Sequence, residues 1–317
     1  MQKRAFAALL LILALMLPGC GTAQEAEEAR LTIVTTTYPL YLFASAVTQG
    51  VDGAVVERLN TGETSCLHDY TLTTRDMQML ERADVIVLNG AGLEDFMEDA
   101  LAASSAYVID CSEGETDLLE NLSHNHQDGD EDDHNHGHYD PHYWMSPMRA
   151  DHMVCQIQEK LCLLDPEHED EYLENAGAAS GELGRLDQEL TEVFAALEGT
   201  GKEITGLITF HDGFQYFAAD YDLPLLAAIE EEEGSEASAK EINEITALVK
   251  EYNLPVIFTE VNGSDATAQA IARETGCAVA QLTMVMDGPD AQLSHYCDGL
   301  LQNARAIING FAGEELV

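Results

Sequence analysis

Basic residues are scarce in this chain. Among 317 residues there are 14 lysines and arginines against 58 aspartates and glutamates, a formal net charge of −44. Such a surface repels phosphate, which argues against nucleic acid and anionic partners and suits cation encounter and solubility. The short motifs that carry catalysis are also missing: there is no Gly-x-Ser-x-Gly, no His-Glu-x-x-His and no phosphate-binding loop. No enzymatic activity is therefore expected. No Cys-x-x-Cys occurs among the seven cysteines, which argues against a thiolate zinc site. No short solenoid repeat is present, so the fold must come from one or two ordinary domains.

What the chain does contain begins with an export signal. Lys3 and Arg4 precede the apolar run AFAALLLILALML, which is too short to span a bilayer comfortably, and LPGC follows. This order resembles a bacterial lipoprotein signal. It implies that residues 1–20 are a targeting segment, that Cys20 carries the lipid, and that residues 21–30 are a polar tether. Outside the cytoplasm disulfides are possible among Cys66, Cys111, Cys155, Cys162, Cys277 and Cys297. Cys155 and Cys162 share a predicted helix, roughly 10 Å apart, too far to bridge. Cys66 and Cys111 both follow strand-like segments and form the best candidate pair.

Hydrophobic residues make up 46% of the chain, enough for a real core. Residues 31–149 alternate strand and helix: LTIVTTT, AVVERL, DVIVLNG and AYVID read as strands, with helices between them. That alternation predicts a βα lobe on a parallel sheet. Residues 150–200 are helical. RADHMVCQIQEKLCLL is one amphipathic helix. The next begins with Asp165 as cap and Pro166 at its first position, and could run about thirty residues. Residues 201–317 return to strand–helix alternation. The expected fold class is α/β: two βα lobes with parallel sheets joined by one long spine helix, with a ligand site in the cleft between them.

Ligands of open α/β sheets bind in loops beyond the carboxyl ends of strands. Four residues occupy such places: His68 in SCLHDY, His142 in DPHYW, His211 as the first residue past ITF, and Asp287 after CAVAQL. Two come from each lobe. A lone histidine after a strand is usually a surface or capping residue, so the case rests on shared placement. His152 and His168 read as solvated helix residues, and His295 as a near-surface residue of the final helix, expected across DAQLSHYCDGLLQNARAIINGF from Asp290.

Several blocks, in order, resemble the zinc- and manganese-binding solute-binding proteins of bacterial ABC importers. They are TIVTTTYPLYLFASAV, CLHDYTLTTRDMQMLERADVIVLNGAGLEDFM, DPHYWMSP, ITFHDGFQYFA, EASAKEINEI and VIFTEVN. The resemblance implies two βα lobes bridged by a long helix, with the metal in the cleft. Carried over by position, His68, His142, His211 and Asp287 are its ligands. Glu260 stands near the site, as an orienting residue or an alternative fourth ligand. Leu67 replaces the family's proline before His68. Three imidazoles and one carboxylate favour tetrahedral Zn²⁺ over Mn²⁺. The resemblance further implies a lipid-anchored monomer on the outer face of the membrane, partnered with an ABC permease. The alternatives are a manganese-type importer component, a zinc-storing or adhesive surface lipoprotein, and a zinc hydrolase in which Asp287 is not a ligand.

Residues 123–139 interleave His124, His126, His134, His136 and His138 with acids and no apolar run. Such a tract cannot bury enough apolar area to offset its ordering, and a disordered loop is expected. Its histidines would gather zinc near the cleft.

Overall fold

The computed structural model describes residues 31–59, 70–120, 138–230, 238–261 and 265–317. The expected signal and tether, Cys20, Cys66, His68 and all of the His-rich tract except His138 and Tyr139 lie outside these residues.

The first lobe is built on four parallel strands: β1 (Leu31–Thr35), β2 (Ala54–Arg58), β3 (Val85–Leu88) and β4 (Tyr107–Asp110). Their spatial order is β2-β1-β3-β4. Every residue of β3 is buried, as a strand covered on both faces requires. Alternate side chains divide between two cores. Ile33, Val85 and Val87 join the main core with α1 (Tyr38–Val47). Val34, Ile86 and Leu88 join a smaller one under α2 (Thr74–Arg82) and α3 (Glu98–Ala103), with Met79, Leu80 and Ala100. Thr73 caps α2 in a capping box with Asp76.

α4 (Pro147–Leu164) starts from Ser146, whose hydroxyl accepts from the Arg149 N–H. α5 (Glu169–Ala195) is the spine, 27 residues and so roughly 40 Å long. Its buried stripe is Tyr172, Ala176, Ala179, Leu183, Leu186, Leu190 and Val193. This spacing alternates four and three, the pattern of a helix laid along other helices. It packs against α4, against α1 of the first lobe and against α9 (Ser294–Ala312) of the second.

The second lobe contains β5 (Leu207–His211), α6 (Gln215–Asp220), β6 (Leu225–Glu230), α7 (Ala239–Glu251), β7 (Val256–Glu260), α8 (Ala266–Thr275) and β8 (Ala278–Leu282). The strands form two parallel ladders, β5–β6 and β7–β8, that adjoin along β5 and β7. One apolar core runs from Ile33 through the spine to Ile257 and Ile308, so both lobes share it. Among the described residues no helix is long and apolar enough to cross a membrane.

Four local expectations are corrected. The single helix expected between DVIVLNG and AYVID is split into a 3-10 turn at Asp95–Met97 and α3. Just before the turn, the Glu94 carboxylate folds back onto the Asn89 and Gly90 N–H groups. Pro166 opens a 3-10 turn, and the spine starts only at Glu169. Asp165 does not cap through its side chain; its carboxylate accepts from the Tyr172 hydroxyl and pairs with His168. The last helix begins at Ser294, not Asp290, since the Asp290 side chain accepts from Gln292 N and pairs with His295. Cys111 is a free thiol with no solvent exposure; Cys66, its expected partner, lies outside the described residues. Cys111 lies inside the main core, where burial pushes the thiol well up and disfavours the thiolate that exchange chemistry needs.

Candidate metal site

Two of the four expected ligands meet. His211 is the last residue of β5, not the first beyond it. His142 sits on the turn that enters α4. Both are buried, at 4% and 3% exposure. Their Nε2 atoms face each other at 3.1 Å, with the rings nearly perpendicular.

The orientation of His142 has a clear cause. Asp140 Oδ1 accepts from the His142 backbone N–H at 2.9 Å and lies 2.7 Å from its Nδ1. A carboxylate can only accept, so Nδ1 carries the proton and Nε2 presents its lone pair to His211. Asp140 is 1% exposed, and its Oδ2 has no hydrogen-bond partner among the described residues. A carboxylate on the second ring nitrogen is the arrangement that fixes tautomer and ring orientation in histidines of metal sites generally.

The turn carrying His142 is held from every side. The Tyr216 hydroxyl donates to Asp140 O, and Asn89 Nδ2 donates to Pro141 O. The Tyr143 hydroxyl donates to Asn89 O, and the Tyr296 hydroxyl donates to Trp144 O. Trp144 is fully buried and donates from Nε1 to Met284 O. Its ring lies 5.2 Å from that of His142. DPHYW is therefore a preorganised unit between the lobes: Asn89 comes from the first lobe, and Tyr216, Met284 and Tyr296 from the second. Glu94 underlies the Asn89 corner. It accepts from Thr36 Oγ1, Asn89 N and Gly90 N, and burial still raises it to about 7.

On the other side of the pair, Gly213 allows Met284 to approach. A Cβ there would stand 2.4 Å from Met284 Cε and 3.0 Å from His211 Cδ2. Glu260, the last residue of β7, is buried at 5% exposure on the strand adjoining β5.

Asp287 is placed differently. Its side chain is about half exposed, and its Oδ1 accepts from Arg58 Nη2 at 3.2 Å. His68 lies outside the described residues. Among the described residues, no group of three or more histidine, cysteine, aspartate and glutamate side chains converges on one point. His138 is exposed, 3.9 Å from Glu120. Glu120 and Tyr139 form an antiparallel bridge, so the chain leaves and returns to the lobe at one point. His152, His168 and His295 are half-buried helix or turn residues engaged with Glu113 O, Asp165 and Asp290.

Comparison with known proteins decides the family. A profile of the ZnuA family, zinc-uptake complex component A, periplasmic, matches residues 33–310. The chain belongs to that family. Among curated relatives, the zinc-binding protein AdcA of Streptococcus pyogenes serotype M1 is 30% identical over 273 residues. That alignment covers 82% of this chain and 51% of AdcA, so the chain spans about half the length of the curated relative it matches. A solved ZnuA superposes with a TM-score of 0.73 at 30% identity, covering 89% of this chain and 99% of that one. The laminin-binding protein Lmb of Streptococcus agalactiae, a bifunctional protein with adhesin and metal transporting activity, gives 0.73 at 26% identity. It covers 87% of this chain and 99% of Lmb. These matches bear out the two-lobe α/β fold read from strand–helix alternation.

Residue-level reasoning missed Asp140 and Arg58. Asp140 carries a signal, a carboxylate two residues before a candidate ligand in Asp-Pro-His. Arg58 carries none, because its partner is 229 positions away.

Proposed function

We propose that this protein is the extracytoplasmic zinc-binding component of an ABC importer, anchored through lipid on Cys20. It takes one Zn²⁺ between its lobes and passes it to a membrane permease, without catalysing a reaction. The reading assigns His68, His142, His211 and Asp287 as ligands and Glu260 as an orienting residue or alternative ligand.

The observation that supports it best is the pair of buried imidazoles facing through Nε2 at 3.1 Å. Two nitrogens each bound to tetrahedral zinc at about 2.0–2.1 Å stand roughly 3.3 Å apart. The pair is thus close to liganding separation before cargo arrives. In the metal-free state His211 can donate its Nε2 proton to His142, and zinc would replace that proton. Nitrogen ligands favour zinc over manganese. The relative AdcA is a zinc-binding protein, which agrees. The His-rich tract would raise local zinc concentration near the cleft by tethering.

The test is a competitive titration against a chelator, using the chain from residue 21 without residues 123–139. One tight zinc site is expected, lost in His211→Ala, with manganese binding far more weakly. If all tight binding disappears with the tract, the tract is the zinc site and the importer reading fails.

A further inference from the structure

The Asp287 segment carries more restraint than a surface loop needs. Asn303, fully buried, bonds both the N–H and the carbonyl of Thr283. Trp144 holds Met284 O, and the Tyr38 hydroxyl holds Asp290 O at 2.8 Å. Between these anchors Val285 adopts φ +57°, a conformation that costs a β-branched residue energy and persists only where the surroundings impose it. Gly288 lies so close to Tyr38 that a Cβ would fall 2.1 Å from its hydroxyl oxygen. The backbone around Asp287 is therefore fixed. Rotation of its side chain is the freedom that remains.

That side chain is engaged by Arg58, the last residue of β2 and one of only 14 basic residues. The guanidinium stacks over Tyr38 at 4.7 Å and approaches Tyr41 at 5.9 Å. Its Nη1 is buried with no hydrogen-bond partner among the described residues. Stacking pre-organises a planar guanidinium in a way a lysine cannot reproduce. Arg58 is thus a fixed cation from the first lobe holding a rotatable carboxylate from the second.

We propose that Arg58 gates the cleft: it holds Asp287 across the lobe boundary while the site is empty, and metal capture requires the carboxylate to leave it. The proposal rests on the zinc reading above, with Asp287 as a ligand. Arg58 then competes with the metal for one carboxylate. This weakens binding and speeds release, which suits a protein that must surrender its cargo.

The experiment is a double-substitution cycle on the full chain, reading zinc Kd by chelator competition and dissociation rate by stopped flow. Arg58→Gln is expected to tighten binding and slow release roughly two- to five-fold, the worth of a partly exposed ion pair. In an Asp287→Asn background the same substitution should change neither. No change, weaker binding, or an equal shift in both backgrounds overturns the gate. An equal shift would mean that Arg58 acts only by repelling the cation. If Arg58→Gln does not fold, Arg58→Lys carries the same cycle with a smaller expected tightening. His211→Ala, run alongside, separates the two ideas: if it abolishes the tight site while the cycle shows no coupling, the zinc reading stands and the gate falls.

Discussion

Replacing Asp140 by Asn tests the core of the site with little change in shape. The carboxylate accepts twice from His142 through one oxygen, at 2.9 and 2.7 Å. Asparagine can keep both contacts through its own oxygen, so the turn is expected to fold. What disappears is the negative charge that makes imidazole a better donor to a cation and fixes its proton on Nδ1. Loss of such an orienting partner lowers metal affinity by about 10- to 100-fold, or about 1.4–2.8 kcal/mol. The upper half of that range is expected, because Asp140 is 1% exposed and water cannot replace it. Competitive titration with a chelator reads the effect, with the metal-free Tm as a control for folding. A change below about three-fold with an intact fold would refute the claim that Asp140 prepares His142.

Trp144 is the only tryptophan, 5.2 Å from the His142 ring, so zinc should alter its emission with a midpoint equal to the chelator-derived Kd. Unchanged emission at saturation would place the metal elsewhere. Glu94 gives a pH signature. Burial raises it from 4.5 to about 7 in the folded chain, so its stabilising contribution is present below about pH 4.5 and is lost as pH rises to about 7. The full difference is about 3 kcal/mol by linkage. Glu94→Gln should flatten the Tm profile between pH 5 and 7. Parallel profiles for the two proteins would show that Glu94 does not titrate there.

Strand and helix identity was written locally. The apolar run at 85–88 is a strand buried on both faces, and Thr73 and Ser146 are caps because a short side chain with an oxygen meets open N–H groups at those positions. The two-lobe architecture follows from that order, since strand–helix alternation interrupted by long amphipathic helices leaves few alternatives. Element boundaries were less legible wherever a side chain diverted the backbone. Asp290 spends its carboxylate on a nearby N–H group and delays a helix that composition favours. His142 and His211 were legible as candidates, because each sits beside a strand or turn signal. Their meeting was not, because they are 69 positions apart and a shared core brings them together. The ion pair of Arg58 with Asp287 is the clearest case. Charge attraction carries no sequence period, so which of many acidic residues meets a given arginine is decided only when Tyr38 and the Asp287 segment fix both partners in space. By itself the sequence determined the element types and the residue chemistry suited to zinc. Tertiary packing alone decided which of those residues face one another, because contact across the cleft depends on lobe geometry and not on distance along the chain.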